Sequence, residues 1–323
     1  ANLNFGAVRD GTWHVPLITM DSLQVSMHPP STPGSSEVID DETGGPELPA
    51  WLKGWVPSRT QIDEVQVHAF NLAPAAGVPG VTADSIKLNA KPAADIGAWL
   101  LRGEGGTVQL PAMNEAFRLT RTAARVSPRA LVFHEAVARW YGDSEVTARG
   151  DVPFETGKTW SFAGSIANLD LRHLLSADWN AILSGIIEAD YEASAAIIKA
   201  KVKVKSGIVQ NMPVLNRVAD FTRAERFRRV VLDEASATVE RVGKTTKVSQ
   251  LLLHSSGLIR VEGGFTIEGR RLSGEFLVGV SPETLRWIPG SQRHVFTDTR
   301  SEAPGFVWTT CTSRATSTPL AKT

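Results

Sequence analysis

The sequence predicts a mainly β protein (α+β), in which an elongated, curled antiparallel β-sheet carries a few short amphipathic helices. Three observations lead to this prediction. The stretch 197–207, IIKAKVKVKSG, alternates apolar residues with lysines, as expected for a strand with one buried face. Glycine-containing turns separate about five further alternating segments after residue 230. Helical periodicity is confined to pieces of about ten residues, which need a surface to lie on.

The N-terminal part of the chain predicts strands that are interrupted by one polar segment. Residues 3–27 have the alternation of two or three strands. Residues 28–49 are rich in Pro, Ser, Gly and acidic residues, so they bury too little apolar surface to become ordered, and we expect a flexible loop. Short β patterns follow around Ile86–Leu88 and Thr107–Leu110. We expect one elongated domain over 1–323 that contains this loop.

The 197–207 strand has two chemically different faces. Its apolar residues are Ile198, Ala200, Val202 and Val204, and its lysines are Lys199, Lys201, Lys203 and Lys205. One interpretation of the lysines is a solvated outer face, or a sheet edge that is protected from aggregation by charge. The other is a surface that attracts anionic lipid head groups or an acidic partner.

The segment after residue 250 predicts three consecutive strands that can align one apolar stripe. Turns at Gly263-Gly264 and Gly269-Arg270 would keep these strands antiparallel. The stripe supplies seven candidate residues for an apolar lipid groove: Ile259, Val261, Phe265, Ile267, Phe276, Val278 and Val280. A sheet with one apolar face must either cover that face or offer it to an apolar ligand.

Residues 213–222 predict a short amphipathic helix. Pro213 is suited to a helix start, where its missing N–H has no intrahelical partner to lose. The capping-helix candidates Leu215, Val218 and Ala219 share one helical face. We expect this helix either to cap the apolar side of the sheet or to pack as ordinary core.

Two more short helices are expected near the ends of strands. Residues 169–181 contain leucines at helical spacing. Residues 281–290 begin with Ser281, which can cap a helix, and Pro282, which is favoured at the first helical position.

Composition and motifs argue against several classes of function. The net charge is zero, with 34 basic and 34 acidic residues, so a nucleic-acid binder is not expected. Cys311 is the only cysteine, and the seven histidines have no metal-ligand spacing. His134-Glu135 lacks a second histidine at position 138, and no Gly-x-Ser-x-Gly motif is present. We therefore expect no enzyme activity, no metal and no cofactor.

The segments 201–240 and 251–290 resemble the C-terminal region of AsmA-like proteins. The best-matching part of the chain is 180–323, and no catalytic residue is carried over. The positions that carry the resemblance are Gly207-Ile208-Val209, Pro213-Val214-Leu215, Glu234–Val239 and the series Leu253, Gly257 and Gly263.

The resemblance implies a role in the envelope of bacteria that have two membranes. AsmA-like proteins are anchored in the inner membrane by an N-terminal helix, which we expect upstream of this chain, and they extend into the periplasm. They handle lipid between membranes or assist outer-membrane biogenesis. The implied partners are a phospholipid or another acyl-chain lipid and other envelope proteins.

Two other functions stay open from the sequence. The first is a protein-interaction or scaffold module whose core is closed by its own side chains. The second is a carbohydrate-active β protein. An apolar groove that is open at one end would favour lipid handling, a packed core would favour the scaffold, and two facing carboxylates in a cleft would favour the enzyme.

Overall fold

Strands dominate the computed structural model of the chain, with 69% of the described residues in strands and 7% in helical segments. The prediction of a mainly β fold with a few short helices is confirmed. The expected flexible loop 28–49 lies outside the described residues. The described residues are 12–26, 59–74, 80–111, 113–155, 157–211, 216, 219–220, 225–269, 271–286, 296–301 and 303–316.

The chain divides into two compact units. The first comprises Ala1–Trp140 and Arg149–Lys158, and the second comprises Tyr141–Ala148 and Thr159–Thr323. The expectation of one elongated domain stays a prediction, and each unit is described by itself.

The first unit begins with strands that pair in parallel. Its strands are β1 (Thr12–Val15), β2 (Ile18–Ser26), β3 (Arg59–Ile62), β4 (Val65–Ala73), β5 (Thr82–Pro92), β6 (Trp99–Glu104), β7 (Thr107–Gln109), β8 (Phe117–Val126) and β9 (Ala130–Trp140). β1 pairs with β3 and β2 pairs with β4, both in parallel, and this departs from the antiparallel prediction. The 32 residues between β2 and β3 are enough for the crossover that parallel pairing requires, since such a connection takes a dozen or more residues.

The rest of the first unit is antiparallel. β4, β5, β6, β8 and β9 pair in that order, and the short β7 pairs with β5 and β8. Its core cluster contains Ala83, Ile86 and Leu119, against which Phe70, Leu72 and Val108 pack.

The second unit contains an antiparallel sheet. β10 (Ser144–Pro153) belongs to both units, and the strands that follow are β11 (Ser161–Asp170), β12 (Leu183–Ser194), β13 (Ile197–Gln210), β14 (Arg229–Leu232), β15 (Glu234–Val242), β16 (Thr245–Ser255), β17 (Ile259–Glu268), β18 (Arg271–Val280), β19 (Asp298–Thr299) and β20 (Val307–Thr316). The pairing order is β11, β12, β13, β15, β16, β17, β18 and β20. β14 pairs with the end of β13, and β19 pairs with the start of β20.

The turn expected at Gly263-Gly264 is wrong, because both glycines lie inside β17. They permit a close approach of the neighbouring strands. A Cβ at Gly263 would lie 2.3 Å from the carbonyl oxygen of Glu275, and a Cβ at Gly264 would lie 2.6 Å from that of Val248. Gly263 also has a φ of 149°, which side-chain-bearing residues rarely adopt. These two glycines therefore allow neighbouring strands to lie close together and do not form a turn.

The short helices are only partly as predicted. Ser281 caps a helix over Pro282–Leu285, and its Oγ accepts a hydrogen bond from the N–H of Thr284 at 3.2 Å. The stretch 169–181 forms two pieces, a 3₁₀ turn at Leu171–His173 and a helical turn at Ala177–Asn180. Between them Ser176 has extended backbone angles and starts the second piece, so the leucines share no continuous helical face.

Candidate functional site

The seven lipid-groove candidates lie on β17 and β18 and share one face of the sheet. Residues directly opposite each other in antiparallel strands project to the same side. The register is Ile259 opposite Val280, Val261 opposite Val278, Gly263 opposite Phe276, Phe265 opposite Gly274, and Ile267 opposite Leu272. The rings of Phe265 and Phe276 lie 6.2 Å apart between centroids. The stripe is thus formed although the turn at 263–264 is absent, because the period of two continues through both glycines.

The register extends this face over eight strands of the second unit, and we call it the apolar face. It includes the four apolar residues predicted on β13. Besides glycines and the seven candidates, its residues are Phe162, Ile166 and Leu169 on β11, Ile187, Ala189, Tyr191 and Ala193 on β12, Ile198, Ala200, Val202 and Val204 on β13, Ala235, Ala237, Val239 and Arg241 on β15, Thr246, Val248, Leu251, Leu253 and Ser255 on β16, Leu272 on β18, and Val307, Thr309 and Cys311 on β20.

The fully buried side chains of the apolar face are concentrated at one end, whereas half-buried side chains occur along its whole length. We call the end at which β16 joins β17 the capped end, and the end at which β15 joins β16 and β17 joins β18 the open end. Buried side chains of the face lie toward the capped end: Leu169, Ile187, Ala189, Ala235, Ser255 and Val280. Toward the open end, Phe162, Val248, Phe265, Ile267 and Leu272 are only half-buried, and Ile198 is 44% exposed.

The capped end is closed by a small cluster on β14 and the start of β15. Val230, Leu232 and Ala235 form this cluster, and five half-buried side chains pack against it. They are Val204, Val209, Leu253, Leu258 and Ile259. The groove candidate Ile259 therefore contacts the closing cluster, and Val280 lies opposite it at the same end, whereas the other candidates extend the face away from the cluster.

Short connecting segments add to this closure. The Oγ of Ser281 donates a hydrogen bond to the carbonyl oxygen of Gly257 at 2.8 Å, which ties the Pro282–Leu285 helix to the β16–β17 turn. Leu285 is 1% exposed. Of the capping-helix candidates, Ala219 is buried, and Leu215 and Val218 lie outside the described residues.

On the outer side of the sheet, the lysines of β13 lie next to a row of acidic residues on β12. Lys199, Lys201 and Lys203 lie directly opposite Glu192, Asp190 and Glu188 of β12. Lys205 also forms an ion pair with Glu188. β13 pairs with strands on both sides, so it is not an edge strand. The solvated-face interpretation is favoured, because the acidic row offsets the cationic charge that would attract an anionic partner.

The outer side at the capped end is covered by a second layer. Trp308 is 1% exposed there and lies opposite Gly279. The guanidinium of Arg300 lies 5.3 Å from the centre of its ring, and Arg300 Nη1 is 3.0 Å from Glu262 Oε2.

The first unit has a depression of about 580 Å³ on its sheet. Its lining includes five charged residues, Lys87, Arg102, Glu104, Arg121 and Glu135. The pKa of Glu135 is lowered by its hydrogen bond and ion pair with Arg121, at 2.7 Å. A carboxyl group with a lowered pKa is ionised at neutral pH and is not suited to act as a general acid.

Nearby Glu64 is held in its ionised form by three neighbours. Gln66 Nε2 and Asn89 Nδ2 donate hydrogen bonds to its Oε1, and Lys91 Nζ is 3.0 Å from its Oε2. These contacts, the hydrogen bonds first, lower the pKa of Glu64 to about 2. Within the described parts of the chain, no group of three His, Cys, Asp or Glu residues could hold a metal ion.

No family model, curated protein or solved structure matches this chain. The resemblance to AsmA-like proteins therefore stays a prediction that depends on the residues quoted for it. Over the ranges that the structure describes, no helix has the length and apolar character needed to cross a membrane.

Two features of the site that the sequence analysis did not predict have a signal in the sequence. The acidic row on β12 alternates with apolar residues in IIEADYEAS, in the same way as the lysines do on β13. Arg241 continues the alternation of Ala235, Ala237 and Val239 on β15, and this places it on the apolar face. In both cases a period-two pattern assigns the face, but only the pairing register shows which residues become neighbours.

Proposed function

We propose that this chain is a non-enzymatic lipid-handling protein of the bacterial envelope, of AsmA-like type, that holds an acyl chain on the apolar face of its second unit. In this proposal the protein acts in the periplasm, anchored to the inner membrane by a segment upstream of the chain, and it transfers lipid between membranes or supports outer-membrane assembly. The observation that carries the proposal is the graded burial of the apolar face: its fully buried side chains lie toward the capped end, and none of the described side chains at the open end is fully buried.

The dimensions of the face suit an acyl chain. On β18 the face runs from Leu272 to Val280, eight residue steps, or about 26 Å at about 3.3 Å per step. One leaflet of a bilayer contributes about 15 Å to a hydrocarbon core of about 30 Å. Each buried methylene contributes about 0.8 kcal/mol, so a chain of ordinary length can bind through apolar contact alone.

The scaffold alternative is supported by the closing cluster of Val230, Leu232 and Ala235, which is packed as in an ordinary core. This alternative predicts the same dense packing at the open end. The described side chains of the face at that end are instead half-buried or exposed. The carbohydrate-active alternative needs a carboxyl group that can donate a proton. Glu135 and Glu64 both have lowered pKa values, which disfavours that role.

Two measurements test the proposal. Lipid extraction of the purified protein followed by mass spectrometry should detect bound acyl lipid. A fluorescent fatty acid should bind the wild type and lose affinity in Val278→Lys, because the ammonium group would project onto the apolar face. The matched control is Glu275→Lys, which places the same group on the exposed outer side of the same strand.

Far-UV circular dichroism and thermal unfolding decide whether a loss of binding reflects the face or a loss of folding. If Val278→Lys unfolds, Phe265→Lys replaces it, since Phe265 lies toward the open end and is only half-buried. Absence of lipid in the extract together with absence of probe binding by the wild type would reject lipid handling in favour of the scaffold.

A further inference from the structure

Deepening the proposed function, on which it rests, we propose that Arg241 selects acyl lipids whose head group is anionic, through a phosphate or carboxylate bound at the open end. Arg241 is the penultimate residue of β15, opposite Ile198 on β13 and Thr246 on β16. Among the residues that the described register places on the apolar face, it is the only charged one.

The guanidinium of Arg241 keeps most of its hydrogen-bonding capacity. Its side chain is exposed, and its Nε donates one hydrogen bond to the carbonyl oxygen of Gly243 at 3.3 Å. A guanidinium has five N–H donors, so the two Nη groups are left to a ligand. Its neighbour Glu240 projects to the outer side, opposite Lys199 and Lys247. The paired Nη groups match the oxygens of a carboxylate or phosphate in a bidentate arrangement.

The hairpin tip that joins β15 to β16 adds positive charge around this position. In residues 241–246, all of which the structure describes, Arg241 and Lys244 are charged and no acidic residue is present. An excess of cationic groups at the entrance to an apolar surface raises the local concentration of anionic ligands. The charge at the open end thus favours the same class of ligand as the guanidinium itself.

The distance from Arg241 to the capped end fits one acyl chain. The face on β15 runs six residue steps from Arg241 to the buried Ala235, or about 20 Å at about 3.3 Å per step. An acyl chain of one leaflet extends about 15 Å. If the head group is bound at Arg241, the whole acyl chain can therefore lie on the apolar face, and its end stops before it reaches the closing cluster.

The test compares two fluorescent probes with the same chain, a fatty acid and the corresponding fatty alcohol. Their Kd values are measured for the wild type, for Arg241→Gln and for the control Arg271→Gln. Arg271 is matched because it lies at the same end of the sheet but on the outer side, opposite Glu268. The alcohol also serves as the folding control, since its binding requires the apolar face but no cation.

We expect the wild type to bind the acid about tenfold more tightly than the alcohol, as one hydrogen bond to a charged group provides. Arg241→Gln should remove this preference by raising the Kd of the acid, with the Kd of the alcohol unchanged. Arg271→Gln should keep the preference.

Three outcomes would overturn the proposal. If both probes bind and Arg241→Gln keeps the preference, head-group selection by Arg241 is wrong and lipid handling stands. If neither probe binds the wild type, the proposed function fails and this inference fails with it. If inorganic phosphate alone binds the wild type as tightly as the acid and loses binding in Arg241→Gln, Arg241 is a site for free anions and not for lipid.

Discussion

Gly279 lies opposite Trp308 across the β18–β20 pair, and a Cβ at position 279 would lie 3.0 Å from three atoms of the indole ring. We expect Gly279→Ala to lower the free energy of unfolding by about 1–3 kcal/mol, because a methyl group overpacks the contact with a buried ring. Urea unfolding measures the change. In a Trp308→Leu background the same substitution should cost clearly less, since the smaller side chain leaves room. An equal cost in both backgrounds would show that the ring does not determine the effect.

The two faces of β13 should differ sharply in their tolerance of an aspartate. Val202 lies on the apolar face between Ala189 and Ala237, so Val202→Asp should destabilise by more than about 2 kcal/mol through an unpaired, partly buried carboxylate. Lys203→Asp places a like charge opposite Glu188, at a cost of about 0.2–1 kcal/mol. Chemical denaturation of both variants provides the comparison. Equal losses would mean that the assigned register is incorrect.

The charge rows of β12 and β13 should behave as a screened surface network. Lys201→Glu puts two carboxylates opposite each other at Asp190 and should lower the melting temperature at low salt. The double variant with Asp190→Lys restores an opposite pair and should recover most of the loss. Raising the ionic strength should reduce the difference between the variants. If the loss of melting temperature did not depend on salt, packing and not charge repulsion would be its cause.

Glu64 should make the stability of the first unit depend on pH in the acid range. Its pKa is lowered from 4.5 to about 2 in the folded protein by hydrogen bonds from Gln66 and Asn89 and by Lys91. The folded state therefore binds this proton less readily than the unfolded state. The resulting stability is present above about pH 4.5 and is lost as the pH falls toward 2.

Thermal unfolding of the wild type and Glu64→Gln across this range measures the contribution. The variant should have a lower melting temperature near neutral pH, and the difference between the two proteins should shrink as the pH falls. A difference that stays constant down to acid pH would contradict the assigned hydrogen bonds to the carboxylate.

Local alternation in the sequence was sufficient to predict the β13 strand and the shared face of β17 and β18. A period of two determines which side a residue faces, and neither a bulge nor a turn interrupts it within Ile259–Glu268. The turn predicted at Gly263 and Gly264 is wrong because glycine is required both in turns and where backbones approach closely, and the sequence alone does not separate these two uses.

Pairing between distant segments was not predictable from the sequence. The parallel pairing of β2 with β4 depends on a long connection, and local pattern carries no information on strand direction. Likewise, the acidic residues of β12 become neighbours of the lysines of β13 only through one particular register. The position of Arg241 at the open end likewise follows from the pairing of β15 with β13 and β16 and not from its immediate sequence.

The graded burial of the apolar face has a consequence for how cargo and stability are coupled. A face that its own side chains cover at only one end lacks part of its hydrophobic core, and under the proposed function the acyl chain supplies that part. The loaded protein is then more resistant to unfolding than the empty one, by RT ln(1 + [L]/Kd). Backbone amides of β17 and β18 near Leu272 should exchange with solvent faster in the empty protein than those near Val280. Delivery of the lipid would return the protein to its less stable state. The rate of amide exchange would therefore report whether lipid is bound.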